Sequence, residues 1–367
     1  MRSQVYFSGF KNGKRSALEA LTLLLNRCDP GVVQKNALIA LKLTFAEEGN
    51  TSYIRPRFIR EIVDWIKSHG GKPFLTDSNT LYRGERTNGV DHLLCAIKNG
   101  FGFSVTGAPI IISDGLTSKD NVEIRGGPKY FDSIRCGSAL YYADGIVVVS
   151  HVTGHLATGM GGAIKNLGMG AASRSGKQRM HASVKPSFAR IDLCTGCGKC
   201  VLACNWQAVQ VVDGKAVFDL ERCVGCGECI VTCPENALRI LWTEKPETLG
   251  EKISEVCLAV ARGKKEKMLF LNFLLDVTPD CDCLQSAGNP IVPNLGILAS
   301  TDPVALDKAS VDLITASEGL PASGLKSRKS GTDKFRDLRP HIDWSAQLKY
   351  GAEIGLGSLE YDLLTLE

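Results

Sequence analysis

The residues with the most chemistry in this sequence are eight cysteines arranged in two runs. The first reads Cys194-x-x-Cys197-x-x-Cys200-x-x-x-Cys204 and the second Cys223-x-x-Cys226-x-x-Cys229-x-x-x-Cys233-Pro234. The second repeats the first at a constant offset of 29, which also carries Gly196 to Gly225, Gly198 to Gly227 and Ala208 to Ala237. A fixed internal period marks a duplicated supersecondary unit. Thiolates at i, i+3 and i+6 sit on one tight loop and can grip three irons of a cubane. The fourth cysteine, at the start of a short helix, points away and reaches the other cluster. Two zinc sites would also consume eight cysteines, but zinc pairs usually come as Cys-x-x-Cys knuckles separated by a longer loop. A disulfide scaffold would need an oxidising compartment and a short secreted chain.

Between the runs, Ala208 to Val212 and Lys215 to Asp219 alternate in polarity around Asp213-Gly214, which predicts a β-hairpin. With this hairpin, the stretch of about 187–242 resembles the bacterial two-cluster ferredoxins. The resemblance implies one [4Fe–4S] cluster on Cys194, Cys197, Cys200 and Cys233, and a second on Cys223, Cys226, Cys229 and Cys204. The sequence departs from that pattern at Asn205, where the first repeat lacks the counterpart of Pro234.

A second set of reactive residues is scattered along the chain, and only a fold can unite it. Val5 to Phe7, Ala37 to Leu43, Pro73 to Thr76, Gly145 to Val149, Lys267 to Leu275 and Ile297 to Ala299 read as strands. Helical patterns at about 14–26, 56–68, 88–99 and 302–316 alternate with them. Such alternation predicts an α/β fold, a mostly parallel sheet with crossover helices, here interrupted by an α+β ferredoxin-like two-cluster module. The expected division is a discontinuous α/β domain over 1–186 and 243–340, the module at 187–242, and a C-terminal tail at 341–367. The chain after about Ser317 reads as irregular, with a few anchoring segments.

Ligands of open parallel sheets bind beyond the carboxyl ends of the strands. At those ends the sequence delivers Lys42, Asp77, His151 with His155, and Asp276 with Cys281 and Cys283. His155 opens a turn rich in glycine, Gly159, Gly161 and Gly162, followed by Lys165 and Asn166. Glycines let backbone N–H groups approach an anion, and a following helix N-terminus adds its dipole. These residues, with Lys42 and Asp77, are therefore expected to bind a small anionic ligand or cofactor; a turn built only for close packing is the alternative. Arg174, Lys177, Arg179, His181 and Lys185 either extend that site or form a solvated basic loop. His151, His155, Lys165 and Asp276 are the candidate catalytic groups. Cys281-x-Cys283 can chelate a third metal shared with His151 or His155, act as a redox dithiol, or simply pack. Cys28, Cys95, Cys136 and Cys257 read as small buried hydrophobes.

Composition narrows the partners. A net charge of +4 over 367 residues argues against strong polyanion binding, hence no nucleic acid. No run of eighteen apolar residues is present, so no membrane span is expected. The first residues lack the apolar core of a signal peptide, and fourteen cysteines suit a reducing cytoplasm.

Outside the cysteine module the sequence resembles the iron–sulfur-centre family known as domain of unknown function 362. The resemblance rests on Gly49-Asn-Thr-Ser-Tyr-Ile-Arg-Pro56, Ser150 to His155 with Gly161 to Asn166, Asp276 to Cys283, and Ala299 to Asp307. It implies clusters and an α/β fold but no settled reaction. His155, Gly159, Gly161, Gly162 and Lys165 are more distantly similar to the active-site loop of nickel-pincer lactate racemases, whose other motifs are absent. The expected function is single-electron transfer through two [4Fe–4S] clusters to a ligand, metal or cofactor in the crevice, with an external redox partner. The alternatives are a non-enzymatic metal- or partner-binding assembly factor, and a lyase or isomerase using His155 and Lys165 over structural clusters.

Overall fold

The computed structural model describes residues 2–10, 15–181, 187–188, 190–240, 242 and 244–367. Lys185, the expected helix start at Lys14, and the junctions around 186 and 243 fall outside the described residues. A seven-stranded sheet organises the chain: β1 (Ser3–Gly9), β2 (Leu38–Lys42), β3 (Lys72–Thr76), β4 (Gly145–His151), β5 (Met268–Leu274), β6 (Gly296–Ser300) and β7 (Tyr361–Thr365). Their spatial order is β7-β1-β6-β5-β4-β2-β3. β5, β4, β2 and β3 run parallel, β1 pairs β7 in parallel, and β6 is antiparallel to both its neighbours.

The sheet is apolar on both faces, as parallel strands covered by helices must be. Along β4, Ile146 and Val148 point into one core and Val147 and Val149 into the other. The first core is covered by α3 (Ala163–Ala171), α5 (Pro246–Arg262) and α6 (Pro303–Ala316) through residues such as Leu167, Ile253 and Leu306. The second is covered by α1 (Ala17–Arg27) and α2 (Pro56–Ser68) through Leu21, Leu24, Ile59 and Ile62. Helix starts follow their local signals. Ser16 and Glu19 form a capping box on α1, Pro56 occupies the first turn of α2, and Asp302 accepts from Val304 N and Ala305 N ahead of Pro303 on α6.

A third, smaller apolar cluster surrounds the motif cysteines, where Leu81 from the loop after β3 packs with Cys200, Val209, Cys229 and Leu238. Val209–Val212 pairs antiparallel with Lys215–Phe218, and the turn residues Asp213 and Gly214 both take positive φ, 48° and 72°. That is the conformation an Asp-Gly hairpin turn requires. Ser187–Phe188 pairs antiparallel with Leu238–Arg239.

The segment expected as an irregular tail is more ordered. It carries helices Lys334–Leu338 and Ala346–Glu353, and β7 extends the sheet beside β1. Four of the five residues of β7 are exposed, so an edge strand of this kind leaves little apolar periodicity to read.

Candidate functional site

Beyond the carboxyl ends of β2, β3, β4 and β5 lies a cavity of about 590 Å3. Each strand end contributes through the residues that follow it. β2 ends on Lys42, β3 runs into Asp77 and Ser78, the loop after β4 supplies His155, and the loop after β5 supplies Cys281 and Cys283. Lys165 and Asn166 enter from α3, and Lys177 and His181 from α4 (Arg174–His181). Leu81, Met169 and Trp242 give the cavity an apolar wall.

Most of its charges are already matched. Lys42 Nζ donates to Asn166 Oδ1 at 2.7 Å and to the Leu43 carbonyl at 3.0 Å, and pairs with Asp77 at 3.0 Å. Burial lowers the Lys42 pKa. Burial would raise that of Asp77, but Lys42, His92 and Arg86 together hold it below the usual carboxylate range. Arg86 is buried between Glu47 (3.3 Å) and Asp77 (3.7 Å) and donates to the Tyr82 hydroxyl at 2.7 Å. Lys177 donates to the carbonyls of Asn79 and Ala172, and burial brings its pKa down to about 8.

Lys165 differs. Among the described residues nothing accepts a hydrogen bond from its ammonium, and burial pushes its pKa down to about 8. His155 is held by its loop: Nδ1 accepts from Thr158 N at 3.1 Å and from Ala157 N at 3.3 Å. Burial, then Lys165, keeps its pKa well below 6.5, so the ring is neutral. A ring nitrogen of His155 and the sulfurs of Cys281 and Cys283 lie within 4.8 Å of one another, a grouping able to hold a metal ion. The two cysteines are joined as a disulfide. Since only thiolates ligate metal, the metal-holding state and the disulfide state are alternatives.

The eight motif cysteines are all free thiols, and they line two small cavities. One is bounded by Cys194, Cys197, Cys200 and Cys233, the other by Cys204, Cys223, Cys226 and Cys229. The two short helices beside them, Lys199–Ala203 and Glu228–Thr232, each start from a glycine in left-handed conformation, Gly198 and Gly227, both at φ 76°. Residues with a Cβ avoid this region. Backbone N–H groups of Ala208 and Ala216 point at the sulfurs of Cys204 and Cys194, at 3.4 and 3.5 Å. Burial raises the pKa of Cys200, Cys226 and Cys229.

A family profile described as Domain of unknown function (DUF362) matches residues 39–312, three quarters of the sequence. The chain belongs to the DUF362 family. No curated protein matches it in sequence. Solved structures that align with the chain include two with low identity. The lactate racemase apoprotein from Thermoanaerobacterium thermosaccharolyticum aligns with TM-score 0.43 and 13% identity, over 86% of this chain and 58% of that one. A protein from Thermotoga maritima aligns with TM-score 0.40 and 9% identity, over 92% of this chain and 58% of that one. The chain thus spans 58% of the length of either structure.

In this DUF362 chain, Lys42, Asp77, His155, Lys165, Asn166, Cys281 and Cys283 meet in the cavity, whereas His151 and Asp276 stand outside its lining. His151 lies behind the loop after β5, with both ring nitrogens engaged by Asp282 and the Leu275 carbonyl. Asp276, at positive φ, turns away to pair with Arg55 at 2.8 Å. The glycine turn is not open as an anion cradle either. Gly159–Gly161 pairs with Thr153–His155 as a hairpin. The N–H groups of Ala163 and Ile164, which start α3, donate at 2.7 and 3.0 Å to the buried carboxylate of Asp307. A Cβ at Gly162 would stand 2.3 Å from that carboxylate, so the glycine makes room for an internal acid and not for a ligand. Sequence reasoning missed Leu81, Tyr82 and Arg86. The available signal was the length of the polar loop after β3, which runs on past Asn79 to the helix at Gly89. Cys28, Cys95, Cys136 and Cys257 are buried as expected.

Proposed function

We propose that this chain is an iron–sulfur protein that passes single electrons to a ligand, metal or cofactor in the cavity at the strand ends. The observation that carries the reading is the grouping of the eight free cysteines. Each small cavity takes three cysteines of one run and the fourth of the other, the exchange that two cubane clusters on this spacing call for. Cys194, Cys197, Cys200 and Cys233 would hold one [4Fe–4S] cluster, and Cys223, Cys226, Cys229 and Cys204 the other. The donor set fits the group. Four sulfurs surround each site, backbone N–H groups face two of them, and buried thiols with raised pKa gain from a cation that takes them as thiolates.

When bound, such clusters supply reversible one-electron transfer. The chain's own residues supply the connection and the receiving site. Leu81 packs in the module core with Cys200 and Cys229 while also walling the cavity. Asn166 and Asp77 fix Lys42, and Lys165 keeps a free ammonium toward whatever acidic group the cavity takes. In this reading 1–186 and 243–340 form one discontinuous α/β domain that receives electrons from the module at 187–242, and an external redox partner reaches the module in the cytoplasm. A second reading, acid–base catalysis by Lys165 and His155, is favoured by a lysine with pKa about 8 beside a neutral imidazole.

Anaerobic reconstitution followed by metal and sulfide analysis tests the first reading. About eight iron and eight sulfide per chain are expected from two cubanes. Zinc bound without sulfide would overturn it. Elimination or isomerisation of a bound acid by the cluster-free chain would favour the second reading.

A further inference from the structure

Cys281 and Cys283 bring to the cavity the two-electron chemistry that the other strand-end residues lack. Both residues line it, Cys281 buried and Cys283 half-buried, and their sulfurs are joined to each other. The backbone around the pair is fixed on every side. The Cys281 carbonyl accepts from Leu284 N, the Asp282 carbonyl from Glu47 N at 2.9 Å, and the Cys283 carbonyl from the Tyr82 hydroxyl at 3.1 Å. The Asp282 side chain is tied to His151. An S–S bond in such a frame can open and close without displacing the loop.

Tyr82 makes the second connection. It packs against the core of the cysteine module beside Leu81, which shares that core with Cys200 and Cys229, one cysteine from each small cavity. Two consecutive residues therefore span from the module's sulfurs to the backbone of Cys283. No other cysteine pair of the α/β body is joined among the described residues: Cys28, Cys95, Cys136 and Cys257 are buried as free thiols.

We infer that Cys281 and Cys283 are a dithiol/disulfide couple charged through the cysteine module, so that the first acceptor of its electrons is this chain's own S–S bond. The inference rests on the iron–sulfur reading above. In the charging step the S–S bond breaks, two electrons enter one at a time, and each sulfur takes one proton from solvent to give two thiols. Both electrons come from an external low-potential one-electron donor. The disulfide and the metal-holding triad with His155 are then oxidised and reduced states of one site, since only the reduced pair offers thiolates.

The experiment is an anaerobic reductive titration of the reconstituted full chain with reduced methyl viologen, followed by iodoacetamide trapping and peptide mapping. The unsubstituted chain should take up about two electrons more than Cys281→Ala/Cys283→Ala, because a disulfide is a two-electron couple. Cys281 and Cys283 should be unmodified before the donor is added and both alkylated after. The mapping needs no variant, so a misfolded double substitution would not mask the result. In chain stripped of iron and sulfide, the pair should stay oxidised under the same donor yet open with excess dithiothreitol. Bleaching of the visible absorption with the pair still joined would overturn this inference and leave the iron–sulfur reading standing. Alkylation of both cysteines before the donor is added would also overturn it. Reconstituted protein with no sulfide and no visible absorption would remove the iron–sulfur reading and this inference with it.

Discussion

His151 and Asp282 form a buried pair at the end of β4: Nδ1 of the imidazole is 2.7 Å from Oδ1 of the carboxylate, while Nε2 is 2.7 Å from the Leu275 carbonyl. A ring with acceptors at both nitrogens must carry two protons. Burial alone would lower its pKa, yet Asp282 and the Leu275 carbonyl outweigh burial and raise it. The pair fastens the loop that carries Cys281 and Cys283, so His151 positions the site without touching what the cavity holds.

Removing one partner of a buried ion pair leaves an uncompensated charge, so His151→Ala should lose about 3–5 kcal/mol in urea unfolding at pH 6. Because the folded pKa lies above the unfolded value of about 6.5, the pairing contributes fully below that pH and is lost as pH rises through the folded value. The gap between the two proteins should therefore narrow on the alkaline side. A gap that widens there would contradict the assigned charge state.

Lys165 should behave in the opposite sense. Its folded pKa, about 8, lies below the ordinary lysine value, so the ammonium costs stability at neutral pH. That cost falls as pH rises from about 8 toward 10.4, where the unfolded chain also loses its proton. Lys165→Met should melt higher than the unsubstituted chain at pH 7, with the advantage shrinking above pH 8. Thermal melts across that range check it, and a variant that melts lower at pH 7 would show that the ammonium has a partner.

Asp307 gives a test of the internal cap. Asp307→Ala strips the acceptor from Ala163 N, Ile164 N and Asn272 Nδ2. Loss of a helix cap costs about 0.5–2 kcal/mol, and an orphaned buried donor adds about 1–3 kcal/mol. A denaturation midpoint unchanged from the parent would mean that another group, or a ligand, serves the start of α3.

Cys204→Ala tests the exchange of ligands between the two runs. Cys204 closes the first run but lines the cavity of Cys223, Cys226 and Cys229. The substitution should leave about four irons per chain and one cubane signal, from Cys194, Cys197, Cys200 and Cys233. Loss confined to that remaining cluster would refute the exchanged assignment.

The legible parts of this fold are those whose signal is local. The apolar runs at β2 to β6, the Asp-Gly hairpin and the Asp302-Pro303 helix start all depend on neighbours a few residues away. The strand-end rule likewise brought Lys42, Asp77, His155, Cys281 and Cys283 to one place. What stayed hidden is set at long range. The acid that fills the start of α3 comes from Asp307 on another helix, so a glycine turn with an open look in sequence is closed in space. His151 and Asp276 sit at the right strand ends, but their partners Asp282 and Arg55 draw them out of the cavity. Strand β7 is exposed along most of its length and carries too little apolar pattern to announce itself.

The short ladder between Ser187–Phe188 and Leu238–Arg239 bears on how the sheet can assemble. β4 and β5 are parallel neighbours, yet the whole cysteine module lies between them in sequence. A long intervening segment taxes their encounter through loop-closure entropy, and each doubling of its length adds only about 0.6 kcal/mol. By joining residues 187–188 to 238–239, the ladder removes the length between them from that loop once it has formed, and the pairing of β4 with β5 then closes over a shorter effective contour.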